Sequence, residues 1–348
     1  MTSVKEIDVQ ADATDGRLGR ATFTFSDAYS VFDWGRMPDA IPAKGASLCT
    51  MGAYNFERLE AAGIATHYRG VAGAPGDEPV PLGERAGPAR VMAIDLAQVP
   101  TLPRTGDSYD YEAYHDIAGE TYVVPLEVVF RNRVPVGSSL RRRRTPAEVG
   151  LDGDEWPAEP LELPEPVVEF STKYERSDRY LDREEAQAIA GRADLEAIAD
   201  LARSVNRVVT DRAAATGFRH DDGKIEVVYH AGDLLVADVV GTFDENRFTF
   251  DGQQVSKEVI RQYYKAYDPD WVADLEAAKA EAKRLGEAEW KARCRSTPDP
   301  LPAPVVELAS DLYASGANRY LDEARFDAPA LPAVVERVRE TLADVRAG

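Results

Sequence analysis

Cysteine is almost absent from this 348-residue chain: Cys49 and Cys294 stand alone. With no C-x-x-C pair and no His/Cys cluster, a disulfide framework is excluded and structural zinc has no ligand spacing to use. Histidine is as scarce, and His67, His115, His220 and His230 fall at no metal spacing, so none is assigned a catalytic role. No apolar run approaches the roughly 20 residues of a membrane-spanning helix. The opening Met1-Thr-Ser-Val-Lys5-Glu lacks a signal-peptide core, so a cytoplasmic protein is expected. Lysine is the last scarcity: nine lysines accompany thirty-two arginines, against 61 acidic residues, for a net charge of −20. So negative a surface is unsuited to nucleic acid. The acids are spread along the chain and not massed in one tail, which favours adaptation to concentrated salt over a basic partner.

What is present is enough apolar sequence, 44%, to bury one large core or two lobes. Ala21 to Phe25 alternates as a half-buried strand does, and Ile64 to Tyr68 reads as another. Ser47 is placed to cap a helix running through Met51, Phe56 and Leu59 to Gly63. Gly70 to Pro88 reads as an exposed loop. Thr121 to Val134 is expected as one strand, 145–166 as a surface insertion, and Asp182 to Asp211 as a helix. Further helices are expected at 255–266, 270–293, 302–314 and 330–346. Antiparallel strands with segregated helices indicate α+β. The expected lobes are a β-rich one over 1–89 and a mixed one over 90–348.

Two strands stand out, Asp222-Gly-Lys224-Ile-Glu226-Val-Val and Val236-Ala-Asp238-Val-Val, joined by a polar turn. With a three-residue loop, Ala231 to Asp233, Glu226 falls opposite Asp238. Facing carboxylates repel, so Lys224 or a divalent cation is expected between them, and Mg²⁺ carrying nucleotide phosphates suits such a site. A solvated face with ordinary charges is the plain alternative.

Other segments add to this pair. They are Val124-Pro-Leu-Glu127-Val-Val-Phe-Arg131-Asn132, then Gly137-Ser138-Ser139, then Asp244-Glu-Asn-Arg247, and Ser256-Lys257-Glu258-Val-Ile-Arg261. In order and approximate spacing they resemble the ATP-dependent ligases of purine biosynthesis called SAICAR synthetases, from about Phe25 to Tyr264. Phe25-Ser-Asp27 and Ile41-Pro-Ala-Lys44-Gly45 resemble further family segments. The resemblance implies a two-lobe fold with an ATP cleft and a reaction joining L-aspartate to a phosphoribosyl-aminoimidazole carboxylate. It implies Lys224 at the reacting centre, and Glu226 and Asp238 on Mg²⁺. It places Lys5, Asp27 and Glu127 toward ATP, and Arg131, Ser138, Asp244, Arg247 and Lys173 toward substrates. Ser139 can replace Ser138, since one residue more separates arginine and serine than is usual. Glu127 shares a face with Arg131 and can pair with it; Asp244 either meets the ribose or fixes Arg247. Arg141 to Arg144 can supply a positive field for anions.

The chain departs from the family where Ser3-Val-Lys5-Glu-Ile lacks a lid's glycine and first lysine, and where Asp238-Val239 replaces a D-E pair. A binding-only relative and an ATP-dependent small-molecule kinase are the alternative readings; homo-oligomerisation stays open. One expectation follows from charge alone. The melting temperature should be distinctly lower in dilute than in molar KCl, and equal values would reject salt adaptation.

Overall fold

The computed structural model describes residues 4–106, 108–136, 138–176, 178–287 and 289–347. Ser3 and Gly137, named in the motifs above, lie outside them. The fold is α+β, built on two antiparallel sheets. The first has the order β1-β2-β4-β3, from β1 (Lys5–Ala11), β2 (Gly19–Phe25), β3 (Tyr68–Ala72) and β4 (Val91–Leu96). Helix α1 (Lys44–Ala61) packs on it, with Leu48, Met51, Phe56 and Leu59 meeting Phe23, Val71 and Met92 in the core. β4, just past the expected 89/90 boundary, bonds to both β2 and β3, so the first sheet extends to Leu96. Ser47 is not the cap. Ala43 precedes the helix at φ 62, and Asp27 accepts the Gly45 N–H at 3.0 Å.

The chain then forms the short hairpin of β5 (Arg104–Thr105) and β6 (Ser108–Tyr109), helix α2 (Tyr111–Ala118), β7 (Thr121–Val123) and β8 (Leu126–Val134). The single strand expected over 121–134 is thus two, parted at Val124-Pro125, where proline has no N–H for a ladder. After α3 (Leu140–Arg143) comes β9 (Leu161–Thr172), which begins inside the expected insertion. It is an edge strand, the position at which Pro164 and Pro166 are tolerated. The helix expected from Asp182 is also two, α4 (Arg183–Ala190) and α5 (Leu195–Ala215). Each has its own aspartate cap: Asp182 accepts from Glu185 N–H, and Asp194 from Glu196 and Ala197 N–H. Such a cap contributes about 1 kcal/mol, enough to start a new helix after Gly191.

Next come β10 (Phe218–His230), β11 (Asp233–Ala237), β12 (Asn246–Phe250) and β13 (Gln253–Gln254). The second sheet runs β13-β12-β10-β8-β9, and β10 also pairs with β7 and β11. Helices α6 (Glu258–Tyr267), α7 (Pro269–Leu285), α8 (Ala303–Leu321) and α9 (Leu331–Ala347) follow. The two sheets join where His67 N–H donates to Val236 O, and Val236 N–H to Ala65 O, each at 3.0 Å. No helix among the described residues is long and apolar enough to cross a membrane, and Cys49 and Cys294 are free thiols.

Alternation gives the second sheet two unlike faces. Ile225, Val227, Val128, Phe130 and Phe170 turn to Ile198, Ala202, Val205 and Val209 of α5. A buried polar chain crosses this interior. Asn132 and Asn206 exchange hydrogen bonds at 3.0 and 2.7 Å, Thr210 meets His220 Nδ1 at 2.8 Å, and Asn246 Nδ2 meets His220 Nε2 at 2.9 Å. His67 Nε2 meets the Asp238 carbonyl at 3.2 Å. Burial lowers His220 to about 4 and His67 to about 3, so both are neutral in the folded protein. In the unfolded chain they titrate near about 6.5. Below that pH the unfolded state takes up protons that the fold refuses, so stability is complete above about 6.5 and falls as pH drops toward about 4. The urea midpoint should be lower at about pH 5 than at about pH 7, and His220→Gln should narrow the gap; identical midpoints would show that these histidines do not drive the loss.

Candidate active site

The face of the second sheet away from α5 is charged. Asp222, Lys224 and Glu226 line it on β10, because they are two apart. Asp222 lies opposite Arg131 on β8 and opposite Arg247 on β12. Glu127 on β8 and Glu169 on β9 complete the face. Gly223, between the first two, makes room for the next layer: a Cβ there would lie 1.9 Å from Asn246 Nδ2 and 2.7 Å from the Phe130 ring.

Two charge clusters share this face. In the first, Lys224 Nζ is 2.6 Å from Glu127 and 3.3 Å from Glu245; Lys173 pairs with Glu226, and Lys5 with Asp238. Burial disfavours charge on Lys224, but Glu245 and Glu127 outweigh it and hold its pKa above the ordinary range. Burial brings Lys5 down to about 8 against the pull of Glu226 and Glu245. Lys5, Lys173 and Lys224 therefore converge, and Lys44 and Lys257 stand just behind them around Asp244. Five of the nine lysines of this arginine-rich chain gather at one place.

In the second cluster three arginines are strung on two carboxylates. Arg247 Nε meets Asp222 Oδ1 at 2.8 Å, and Arg131 Nη1 meets Asp222 Oδ2 at 3.2 Å. Arg131 Nε and Arg143 Nη2 both reach Glu169, at 2.9 and 2.7 Å, and Arg131 also donates to Tyr180 Oη at 2.9 Å. The Arg143 guanidinium lies 3.4 Å from the Tyr180 ring centre, and its Nη1 reaches Ser139 Oγ at 2.9 Å. Ser139 rather than Ser138 thus connects to the arginines; the Ser138 hydroxyl is buried and accepts from the Leu140 N–H.

Several sequence expectations change here. The loop between β10 and β11 is Ala231-Gly232, both at positive φ, so His230 pairs with Asp233 and Glu226 with Ala237. A two-residue hairpin needs that backbone. Asp238 lies one residue past β11 at φ 65, outside the reach of strand alternation, and its carboxylate turns to Lys5. The cations beside Glu226 and Asp238 are Lys173 and Lys5, not Lys224. Glu127 pairs with Lys224 and not with Arg131. Asp244 does not fix Arg247; Asp222 does. Asp244 is enclosed by Lys44 Nζ at 2.8 Å, Tyr313 Oη at 2.7 Å and Lys257 at 4.0 Å. Burial opposes its charge, but those lysines hold its pKa far below the usual carboxylate range. Asp27 is engaged with Arg90, at 2.9 and 3.3 Å, besides the Gly45 amide. Of the arginine run, Arg141 is spent on backbone carbonyls, and Arg143 alone joins the cluster. Asp222, Glu169, Glu245 and Tyr313 were not assigned from sequence. Asp222 and Glu245 lie inside quoted motifs, whereas Tyr313 had no local signal.

Solved structures share this architecture. Yeast SAICAR synthase complexed with SAICAR, from Saccharomyces cerevisiae, superposes with a TM-score of 0.60 at 20% identity, over 93% of this chain and 94% of that one. A SAICAR synthetase in complex with ADP gives 0.53 at 21%, over 86% and 99%. The molecule is thus a SAICAR synthase-like two-lobe α+β protein. The family profile for SAICAR synthetase matches residues 13–278. A Thermoplasma acidophilum phosphoribosylaminoimidazole-succinocarboxamide synthase is 30% identical over 85% of this chain and 91% of its own. An Archaeoglobus fulgidus protein provisionally given the same name is 39% identical over 98% of this chain and 100% of its own. The chain belongs to the SAICAR synthetase family.

Arg131 and Arg247 differ in burial, at 6% against 29% side-chain exposure, and this separates their contributions to stability. Arg131→Ala would leave Glu169 and Asp222 short of a buried partner and should cost roughly 3–5 kcal/mol of folding stability. Arg247→Ala leaves Arg131 on Asp222 and should cost far less. Denaturant titration of both variants checks the order, and equal losses would contradict it.

Proposed function

We propose that this protein joins L-aspartate to the carboxylate of 5-amino-1-(5-phosphoribosyl)imidazole-4-carboxylate, consuming ATP and releasing the succinocarboxamide, ADP and phosphate. Family membership supports the reaction. The observation that carries it onto these residues is the pairing of Arg131 and Arg247 through Asp222, beside Lys224 of the same strand and its lysine cluster.

A carboxylate is a poor electrophile. Transfer of the γ-phosphoryl group to its oxygen makes an acyl phosphate and frees ADP. The aspartate amine then attacks the carbonyl carbon, the C–N bond forms, phosphate leaves with the electron pair of the broken C–O bond, and the amine loses its proton. Both steps pass through concentrated negative charge, which positioned cations stabilise. Lys224 is held protonated between Glu127 and Glu245 and serves the transferring phosphoryl group. Lys5 and Lys173 flank it, with Lys5 toward ATP and Lys173 toward the substrates. Arg247, half-exposed and planar, takes the ribose phosphate by two parallel hydrogen bonds while Arg131 supports it from below. Ser139 is the serine placed for the same end of the nucleotide. Asp244 acts from behind, through the loop.

No three His, Cys, Asp or Glu among the described residues are grouped to hold a metal unaided. Glu226 and Asp238 fit the smaller demand of Mg²⁺, which binds through one or two carboxylates plus substrate phosphates. When bound it would neutralise those phosphates, and Lys173 and Lys5 neutralise the carboxylates otherwise. The acidic, lysine-poor composition supports work at high salt.

ADP release with each substrate omitted in turn, in molar salt, tests the reading. It should require both L-aspartate and the imidazole nucleotide. Release without aspartate would identify a kinase, and binding without release a non-catalytic relative. Arg247→Ala should raise KM for the imidazole nucleotide about tenfold or more, with little change in KM for ATP, since a charge-assisted bond contributes roughly 1.5–3 kcal/mol. Arg247→Lys should recover it only partly.

A further inference from the structure

The loop from Asp238 to Glu245 carries Asp238 and Glu245 and leads into Arg247 at the start of β12, yet it has no regular structure of its own. Its support comes from α1 and from α8, and α8 lies beyond residue 278, where the family match ends. Helix α8 reaches the loop directly at two points and once through Asn55 of α1, each one helical turn apart or nearly so. Tyr313 Oη donates to Asp244 Oδ1 at 2.7 Å. Gly316 lies against Phe243, where a Cβ would meet the ring at 2.5 Å. Tyr320 Oη donates to Asn55 Oδ1 at 2.9 Å, and Asn55 Nδ2 donates to the Val240 and Gly241 carbonyls at 3.3 and 3.1 Å. All three α8 residues are buried.

Asp244 and its neighbour Glu245 sit side by side on the loop and meet different partners. Asp244 bonds to Tyr313 and Lys44, and Glu245 pairs with Lys224. Fixing one carboxylate therefore orients the other. We infer that α8 is part of the active-site machinery, and that Tyr313 is a positioning residue that sets Lys224 through Asp244 and Glu245. Tyr313 touches no substrate; its hydroxyl determines where the loop places the groups that do. The inference rests on the ligase reading for its kinetic consequence, but not for the contact itself.

The test is Tyr313→Phe, which removes one oxygen atom and keeps the packing of the ring against Phe243. Exchange of the Glu245 and Asn246 backbone amides, both bonded to Thr242, reports the loop directly. It should quicken about tenfold, as expected for loss of a hydrogen bond to a charged group. The aspartate-dependent kcat should fall by a similar factor, with KM for the imidazole nucleotide rising less, because Arg247 keeps its own partner in Asp222. Tyr320→Phe should quicken exchange at Gly241 and disturb kcat less, and it serves in place of Tyr313→Phe should that variant not fold. A merely structural tyrosine would lower the melting temperature and leave both loop exchange and kcat of the folded enzyme unchanged, which would overturn the inference. Faster exchange with unchanged kcat would overturn it too. If the wild-type protein releases no ADP in response to aspartate, the ligase reading fails, and loop exchange alone then decides whether α8 holds the loop.

Discussion

The hydrogen-bond ladder of β10 is the constraint on which the rest of this protein depends. Thirteen residues of one strand pair with β8, β12, β7 and β11, so every other strand of the second sheet is placed by it, directly or through one neighbour. Alternation then obliges the strand to sort its side chains. Ile225 and Val227 enter the core under α5, and Asp222, Lys224 and Glu226 face outward. Because the register is set by burial on one side, the charged residues on the other side cannot slip. Precision on the charged face is thus derived from the apolar face packed under α5.

Charge is arranged on that frame as alternating pairs. A sheet face with several cations and anions is stable when each has an opposite partner at hydrogen-bond distance and costly when one is removed. Here Asp222 and Glu169 link three arginines, and Glu127, Glu226, Glu245 and Asp238 each meet a lysine. The carboxylates keep the cations charged and correctly aimed in a partly dry environment. Arg247 and Lys224 are the more exposed cations, at 29% and 32% side-chain exposure, whereas Arg131 and Lys44 are buried with their partners. In so acidic a protein the concentration of lysines at this one place also gives anionic substrates a local region of favourable potential.

The loop after β11 shows how the two lobes cooperate. Asp238 is turned by its positive φ toward Lys5 of the first sheet, and Asp244 is held by Lys44 at the start of α1. A buried lysine at a helix N-terminus is unfavourable both by desolvation and by the helix dipole, so Asp244 is required there for the fold as much as for the site. Tyr313 of α8 satisfies the remaining oxygen. The loop is therefore a junction of both lobes and the helical C-terminal part of the chain, and its carboxylates pair with lysines of both lobes.

The chain's local patterns were sufficient for the α+β class, most helices and the motif order. Those features follow from periodicity and from chemistry confined to a few neighbouring positions. Local pattern failed where a partner distant in sequence decides. A two-residue instead of a three-residue turn moved Asp238 off the strand, and the edge position of β9 let two prolines lie in what read as an insertion. β4 belongs to the first sheet only because β2 and β3 need it between them. The partner of each charge also escaped prediction, since Glu127 and Lys224 are joined by the pairing of β8 with β10, and Asp244 and Tyr313 by the packing of α8. The sequence by itself determined which ionisable groups are available and which strand face they occupy. Only the tertiary structure decided which opposite charge each one meets, because electrostatic partners are chosen by distance in space and not by separation along the chain.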